Sequence, residues 1–341
     1  MGQAKVAVMG MRRREFITLL GGAAAAWPLA VHAQLPSRMR HVGVFLGLTA
    51  SADDPGAGEI LRPFKAAMAE AGWIEDQNIR LDYRFGGGDL AKIHAAAGDL
   101  VTLAPDLIYA TGLPPAQALR QRTRTIPIVF SLVADPVGFG LVESLRHPGG
   151  NITGFVVWDL SIGGKWMQLL QEIAPNLRRI GIMYNPDTAP YAPSLVASAK
   201  AAAVRDVAVL ECFTHNDSEI EAAASLLGNE PLGGLLVIPE PFTNARRDLI
   251  IAQSARFKLP SLNPAFGAAS RGALISYTFA FERMMRQPVT YIDRILRGES
   301  PNGLPVQTPD KFVLAINLAV AKALGITVPP TLLALADQVI E

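Results

Sequence analysis

The sequence predicts an α/β protein of two doubly wound, Rossmann-like parallel-sheet lobes. Short continuous apolar runs recur, such as Val42-Gly-Val-Phe-Leu46, and these suit strands buried on both faces. Between them lie segments with apolar residues three and four apart, the signature of helices packed on one side. The rhythm breaks at Pro148-Gly149-Gly150-Asn151 and then restarts, which divides the chain into two lobes.

In the first lobe Val42–Leu46 is a strand, and the helix after it aligns Leu61, Phe64, Met68 and Ala71 before stopping at Gly72. Ile79, Leu81 and Tyr83 alternate as a second strand. Leu90, Ile93, Ala97 and Leu100 carry a second helix. Pro105–Tyr109 reads as the third strand and Ile126–Phe130 as the fourth. Pro114-Pro115 opens the helix between them, where proline is tolerated.

The second lobe begins with a helix over Lys165–Ile173, ended by Pro175, and a strand over Arg179–Tyr184. A helix around Leu195–Val204, a strand Val207–Phe213 and a helix capped near Asp217 or Ser218 follow. Then come the strand Gly234–Ile238, the helix Asn244–Phe257 and a short strand at Leu262. What remains (Ala273–Tyr277, Phe281–Leu296, Phe312–Ile316, Leu318–Leu324) is too short for a third domain. The chain is therefore expected to recross near residues 264 and 304. That assigns 40–153 and 264–303 to the N-terminal lobe, and 154–263 and 304–341 to the C-terminal lobe, with a hinge of several crossings.

Of 341 residues, half are hydrophobic, and 31 Lys+Arg against 30 Asp+Glu leave a net charge of +1. That composition excludes a disordered chain and argues against a nucleic-acid surface. The single Cys212 excludes an intrachain disulfide framework and a cysteine-rich zinc site. Arg12-Arg13-Arg14-Glu15-Phe16-Ile17-Thr18 precedes the uncharged run Leu19–Val31 and the small-residue stretch Val31-His32-Ala33. Charged start, short apolar core and cleavage-type site make residues 1–33 an export signal resembling the twin-arginine type. Cleavage is expected after about Ala33, with the mature chain in the periplasm. An uncleaved anchor and a start at Met11 stand as alternatives.

Catalytic signatures are absent: no phosphate loop, no Gly-x-Ser-x-Gly elbow and no His-Glu-x-x-His. Gly138-Phe-Gly140-Leu-Val-Glu143 has glutamate where a dinucleotide site needs its third glycine. No histidine has a second one at a metal-ligand interval, so neither metal nor cofactor is expected. What stands out is polar and aromatic residues at the carboxyl ends of strands, the edge where open α/β sheets hold ligands. The first lobe offers Leu48 to Ser51, Thr111, Gly112, Ser131 and Asp135. The second offers Phe155, Trp158, Tyr184, Asn185, Glu240 and Phe242, with Asn263 and Phe266 at the crossing and Tyr277 nearby. A small zwitterion or carboxylate suits this set. The helix after Thr111-Gly112 presents free N–H groups to an anion. Asp135 or Glu240 pairs with an ammonium group, and the rings cover an apolar side chain.

Further strings carry a resemblance. Asp135-Pro-Val137, Gly140-Leu-Val142, Ser144-Leu145 and Pro148-Gly-Gly-Asn-Ile-Thr-Gly154 occur with Tyr291-Ile-Asp-Arg-Ile-Leu-Arg-Gly298, Leu304-Pro-Val306 and Val328-Pro-Pro330. Together they resemble the TrpX-like group of ABC transporter substrate-binding proteins, with the type I periplasmic binding fold. The resemblance implies a carrier with no covalent chemistry, and a monomer is the default for a shuttle that must meet its permease. Such a carrier captures a small organic solute by hinge closure and delivers it to an ABC permease at the inner membrane. Characterised members bind aromatic amino acids, and Thr111, Ser131 and Asp135 fall at the family's ligand-edge positions. The chain departs from the pattern at Thr278, where glycine is common, and in Met284-Met-Arg-Gln-Pro288. A periplasmic sensor module, and an exported α/β hydrolase or isomerase with Asp135 or Glu240 as base, are the rival expectations.

Overall fold

The computed structural model describes residues 38–229 and 232–341, so the expected export signal lies outside the described residues. The first lobe runs β1 (Arg40–Leu46), α1 (Pro55–Glu70), β2 (Ile79–Phe85), α2 (Leu90–Thr102), β3 (Leu107–Thr111), α3 (Leu113–Arg122), β4 (Ile128–Val133) and β5 (Ile152–Val156). Its five strands are all parallel, in the order β2-β1-β3-β4-β5. β3 is buried at every residue because helices cover both faces. Asp54 and Asp89 start α1 and α2 by accepting from backbone N–H groups of the first turn.

The third and fourth strands sit two residues later than the sequence suggests. Asp106 is used before the strand starts: its carboxylate accepts from the His41 N–H and pairs with Arg40. Thr111 and Ser131 consequently lie within β3 and β4, directly paired, rather than in the loops beyond. β5 was not expected. Its connection from β4 has no helix but an irregular segment that buries Leu141 and Val142 against the sheet.

The second lobe runs α4 (Ile162–Ile173), β6 (Arg179–Tyr184), α5 (Ala192–Ala202), β7 (Ala208–Phe213), α6 (Asp217–Gly228), β8 (Gly233–Val237), α7 (Pro241–Ala245), α8 (Arg247–Arg256), β9 (Ser261–Leu262) and β10 (Ile275–Phe279). Two helices, α9 (Phe281–Arg286) and α10 (Pro288–Leu296), follow. The chain ends with β11 (Phe312–Asn317), α11 (Leu318–Ala323), α12 (Pro330–Leu335) and β12 (Gln338–Ile340). The second sheet has the order β12-β11-β10-β9-β8-β6-β7. It is parallel except where β11 runs against β10.

This topology corrects the lobe boundaries read from sequence. β10 pairs with β9 and β11, so residues 264–279 belong to the second sheet, not the first. Only α9 and α10 return to the first lobe, where they pack on α1 and, for α10, on β3, β4 and β5. The returning segment stays with the first sheet through Gln307, whose N–H donates to Gly154 and whose carbonyl accepts from Val156. The crossings therefore fall just after Val157, at Ala280, and between residues 308 and 311. The first leaves the carboxyl end of β5 and the second the carboxyl end of β10. The third enters at Phe312, directly opposite Phe279. Ala280 N–H donates to the Lys311 carbonyl at 3.0 Å and ties two crossings together. All three crossings thus join the carboxyl edges of the two sheets, which brings those edges toward each other.

Candidate functional site

Each sheet reverses its winding direction once, between β1 and β3 and between β6 and β8. Loops leaving adjacent strands on opposite faces open a crevice there. On the first sheet the walls are close. A Cβ on Gly47 would come within 2.5 Å of the Pro115 ring and 2.8 Å of the Thr111 carbonyl, so only glycine fits without movement. Gly112, at φ +90°, turns β3 into α3 in a conformation other residues rarely adopt.

The expected first-lobe contacts are largely committed to the chain itself. Thr111 Oγ1 accepts from Gly47 N–H at 3.3 Å. Gly112 N–H donates to the Ser131 carbonyl. Ser131 is fully buried, with its hydroxyl 2.7 Å from that of Tyr109, whose ring stacks on Phe64 beneath α1. It therefore serves the core and not the edge. The anion site expected at α3 is also weak, since Pro114 and Pro115 remove two of the first-turn donors. Asp135 stands at the edge, half-buried, and one carboxylate oxygen accepts from Gly138 N–H at 2.8 Å.

In the second lobe the structure separates the expected residues into those at the edge and those beneath it. Tyr184 donates its hydroxyl to Glu211 at 2.6 Å and sets its ring edge-on to Phe213, within the sheet layer. Burial pushes its phenol well above the ordinary range. Tyr277 is mid-strand, stacked on Phe312, and its carbonyl accepts from the Trp166 indole. Neither side chain belongs to the edge. Asn185 does, but its Oδ1 accepts from Asp187 N–H to close the loop after β6. Glu240 is 1% exposed and accepts from Phe242 N–H at 2.6 Å, Thr243 N–H at 2.8 Å and the Thr188 hydroxyl at 2.6 Å. It is a helix cap that ties the loop after β6 to α7, which leaves little of it for a ligand ammonium.

Trp158 and Phe266 mark the joint between the lobes. Trp158, on the first crossing, is buried among Trp166 (5.6 Å between centroids), Phe279 (6.4 Å) and Tyr191 (6.5 Å). Phe266, half-exposed, meets Phe281 of α9 at 5.0 Å.

Another signal was not available to sequence reasoning. Nine buried side-chain polar atoms among the described residues have no hydrogen-bond partner in the chain. Four of them, on Thr49, Trp158, Thr214 and Asn263, lie one to three residues beyond the carboxyl ends of β1, β5, β7 and β9. Each such buried group costs about 1–3 kcal/mol unless something pairs with it. These four, on the two facing edges and at the joint, mark this seam as the candidate site. Thr214 had no distinguishing sequence signal beyond its place after a strand.

A concavity of about 1740 Å³ lies elsewhere, along α1, α9, α10 and the crossings. Phe266 alone among the candidates lines it. Four of its charges are paired across it, Arg283 with Asp310 and Arg286 with Glu70. It is a solvated groove with no stranded buried group of its own. Among the described residues no cluster of histidine, cysteine or acidic groups could hold a metal, and no helix is long and apolar enough to cross a membrane.

Comparison with known proteins agrees with this architecture. Residues 46–340 match the family described as ABC transporter substrate binding protein, and the chain belongs to that family. A tyrosine-binding protein of Clostridioides difficile (strain R20291) is 28% identical over 282 residues, covering 82% of this chain and 80% of the relative. A conserved domain protein from Vibrio cholerae is 30% identical with a TM-score of 0.78, over 89% of this chain and all of that one. An ABC domain from Streptococcus pneumonia in complex with L-Trp is 24% identical with a TM-score of 0.77, at the same coverage.

Proposed function

We propose that this substrate-binding protein works outside the cytoplasm and closes its two lobes on a small amino-acid ligand, of the aromatic class, for delivery to an ABC permease. The observation that carries the reading is the set of stranded polar atoms on the facing carboxyl edges. In a closed seam such atoms are shut away from water, and a bound solute is what pairs with them. The aromatic group around Trp158 suits a ligand with a planar apolar side chain. The tyrosine- and L-Trp-binding relatives support the same class. The chain resembles both a ligand-bound and a ligand-free relative in fold. The chain superposes on the L-Trp complex at a TM-score of 0.77. On the ligand-free, open structure of a Clostridium difficile substrate binding protein, 25% identical over 89% of this chain and 99% of that one, it reaches 0.69.

The mechanism is a population shift. Contacts split between two lobes are complete only when the lobes meet, so ligand binding favours the closed state by its differential affinity. The twin-arginine-like signal supplies the route of export in this reading. A thermal-shift screen over amino acids, aromatic carboxylates and short-chain acids tests the ligand class. A ligand at a hundred times its Kd stabilises by about 2.7 kcal/mol. L-tyrosine or L-tryptophan is expected to raise the Tm and shrink the scattering radius together. If no amino acid shifts the Tm, the ligand class is wrong. A radius unchanged at saturation removes closure.

A further inference from the structure

We propose that Trp158 is a specificity-determining residue that donates its indole N–H to an acceptor oxygen of the ligand, a carboxylate or carbonyl. The inference rests on the binding reading above and adds which group of the ligand the hinge end of the site recognises.

Three tryptophans lie among the described residues, and all three are buried. Trp73 donates its N–H to Asp293 at 2.8 Å, and Trp166 donates to the Tyr277 carbonyl at 2.9 Å. Trp158 differs: its Nε1 is buried and unpartnered. An indole N–H is a donor only, so it cannot be satisfied by turning over, and buried tryptophans usually have a partner. The Trp158 ring is not free to seek one, because Trp166, Tyr191 and Phe279 hold it from several sides.

Its position makes the missing partner a ligand atom. Trp158 lies two residues past the end of β5, on the segment that crosses between lobes, beside Phe279 at the end of β10. Asn263, one residue past β9, shows the same polarity. Its Oδ1 accepts from Ala265 N–H, which fixes the amide orientation and leaves the unpartnered Nδ2 as a donor. Thr214 lies three strands from β9, roughly 14 Å away along the edge, so it meets a different part of any ligand. The hinge side of the seam therefore holds donors with no acceptor, and it selects for oxygen acceptors over an ammonium group.

Trp158→Phe keeps the ring and deletes only the donor. Titration calorimetry with L-tyrosine and L-tryptophan is expected to show affinity reduced about tenfold, the loss of one hydrogen bond to a charged or carbonyl acceptor. The ligand-free variant should melt at or above the wild-type temperature, because it no longer buries a stranded donor. A structural role for the N–H would instead lower that temperature, which would overturn the assignment. If the variant folds poorly, the wild-type indole proton resonances decide. On ligand saturation the Trp158 signal should move downfield while those of Trp73 and Trp166 hold, and an unmoved Trp158 signal refutes the proposal. Wild type that binds while Trp158→Phe binds equally well defeats the Trp158 assignment alone. Wild type that takes up neither amino acid defeats the binding reading, and the assignment with it.

Discussion

Glu240 gives the sharpest test of whether a polar residue at the strand edge serves the fold or the ligand. Its carboxylate holds two buried N–H groups, of Phe242 and Thr243, at the start of α7, and the exposed Thr188 hydroxyl from the neighbouring loop. In Glu240→Ala the hydroxyl can turn to water, but both N–H groups lose their acceptor. Two stranded donors cost about 1–3 kcal/mol each, so a loss of roughly 3 kcal/mol is expected. For a folded unit of this size, with an unfolding entropy of ~2 cal/mol/K per residue, that is a Tm lower by roughly 5 °C. Glu240→Gln retains one acceptor oxygen but turns an NH2 group toward a donor, so about half the loss is expected. Differential scanning calorimetry on ligand-free protein reads both variants. If Glu240→Gln melts with the wild type while losing its affinity for L-tyrosine, the carboxylate is a counter-charge for the ligand and the capping argument is wrong.

The six tyrosines offer an independent check. Burial raises each of them, Tyr83 to about 12 and Tyr109, Tyr184 and Tyr191 further, from an ordinary value of 10.0. A phenol raised by folding contributes stability that is complete below pH 10 and lost as pH climbs through the folded value. Tyrosinate absorbance should therefore stay low at pH 10 and rise only with alkaline unfolding, and a step near pH 10 in folded protein would contradict the burial. Gly47→Ala forces a Cβ against Pro115 and the Thr111 carbonyl, at a cost of about 1–3 kcal/mol in urea denaturation. A variant as stable as wild type would mean these loops are looser than they stand. Ser131→Ala strands the buried Tyr109 hydroxyl and should lower stability by about 1–3 kcal/mol with ligand affinity unchanged. Lost affinity at unchanged stability would return Ser131 to the site.

Period and punctuation in the sequence reveal the two-lobe winding because buried parallel strands and one-sided helices differ so plainly along a chain. They do not reveal which sheet a strand joins. Ile275–Phe279 looks the same whether it completes the first lobe or the second, and only its pairing with Leu262 and with Phe312–Asn317 decides. β5 escaped notice for a related reason. It follows a Pro-Gly-Gly-Asn turn and reaches β4 without a helix, so the alternating rhythm gave no cue.

The candidate site is legible in the sequence as an edge and not as a list of side chains. A two-residue displacement in β3 and β4 was enough to move Thr111 and Ser131 from loop to strand, where their hydroxyls serve neighbouring backbone and the core. Glu240 and Asn185 stand beyond strand ends, yet the polar atoms that point to a ligand role are used by the loops they shape. A residue type announces which bonds it can make, and only the surrounding chain shows which bonds are already made. The stranded atoms of Thr49, Trp158, Thr214 and Asn263 are the part of the remainder that stands at the carboxyl ends of strands. They fall on both sheets and on the crossing between them, the division that the closure proposed above requires.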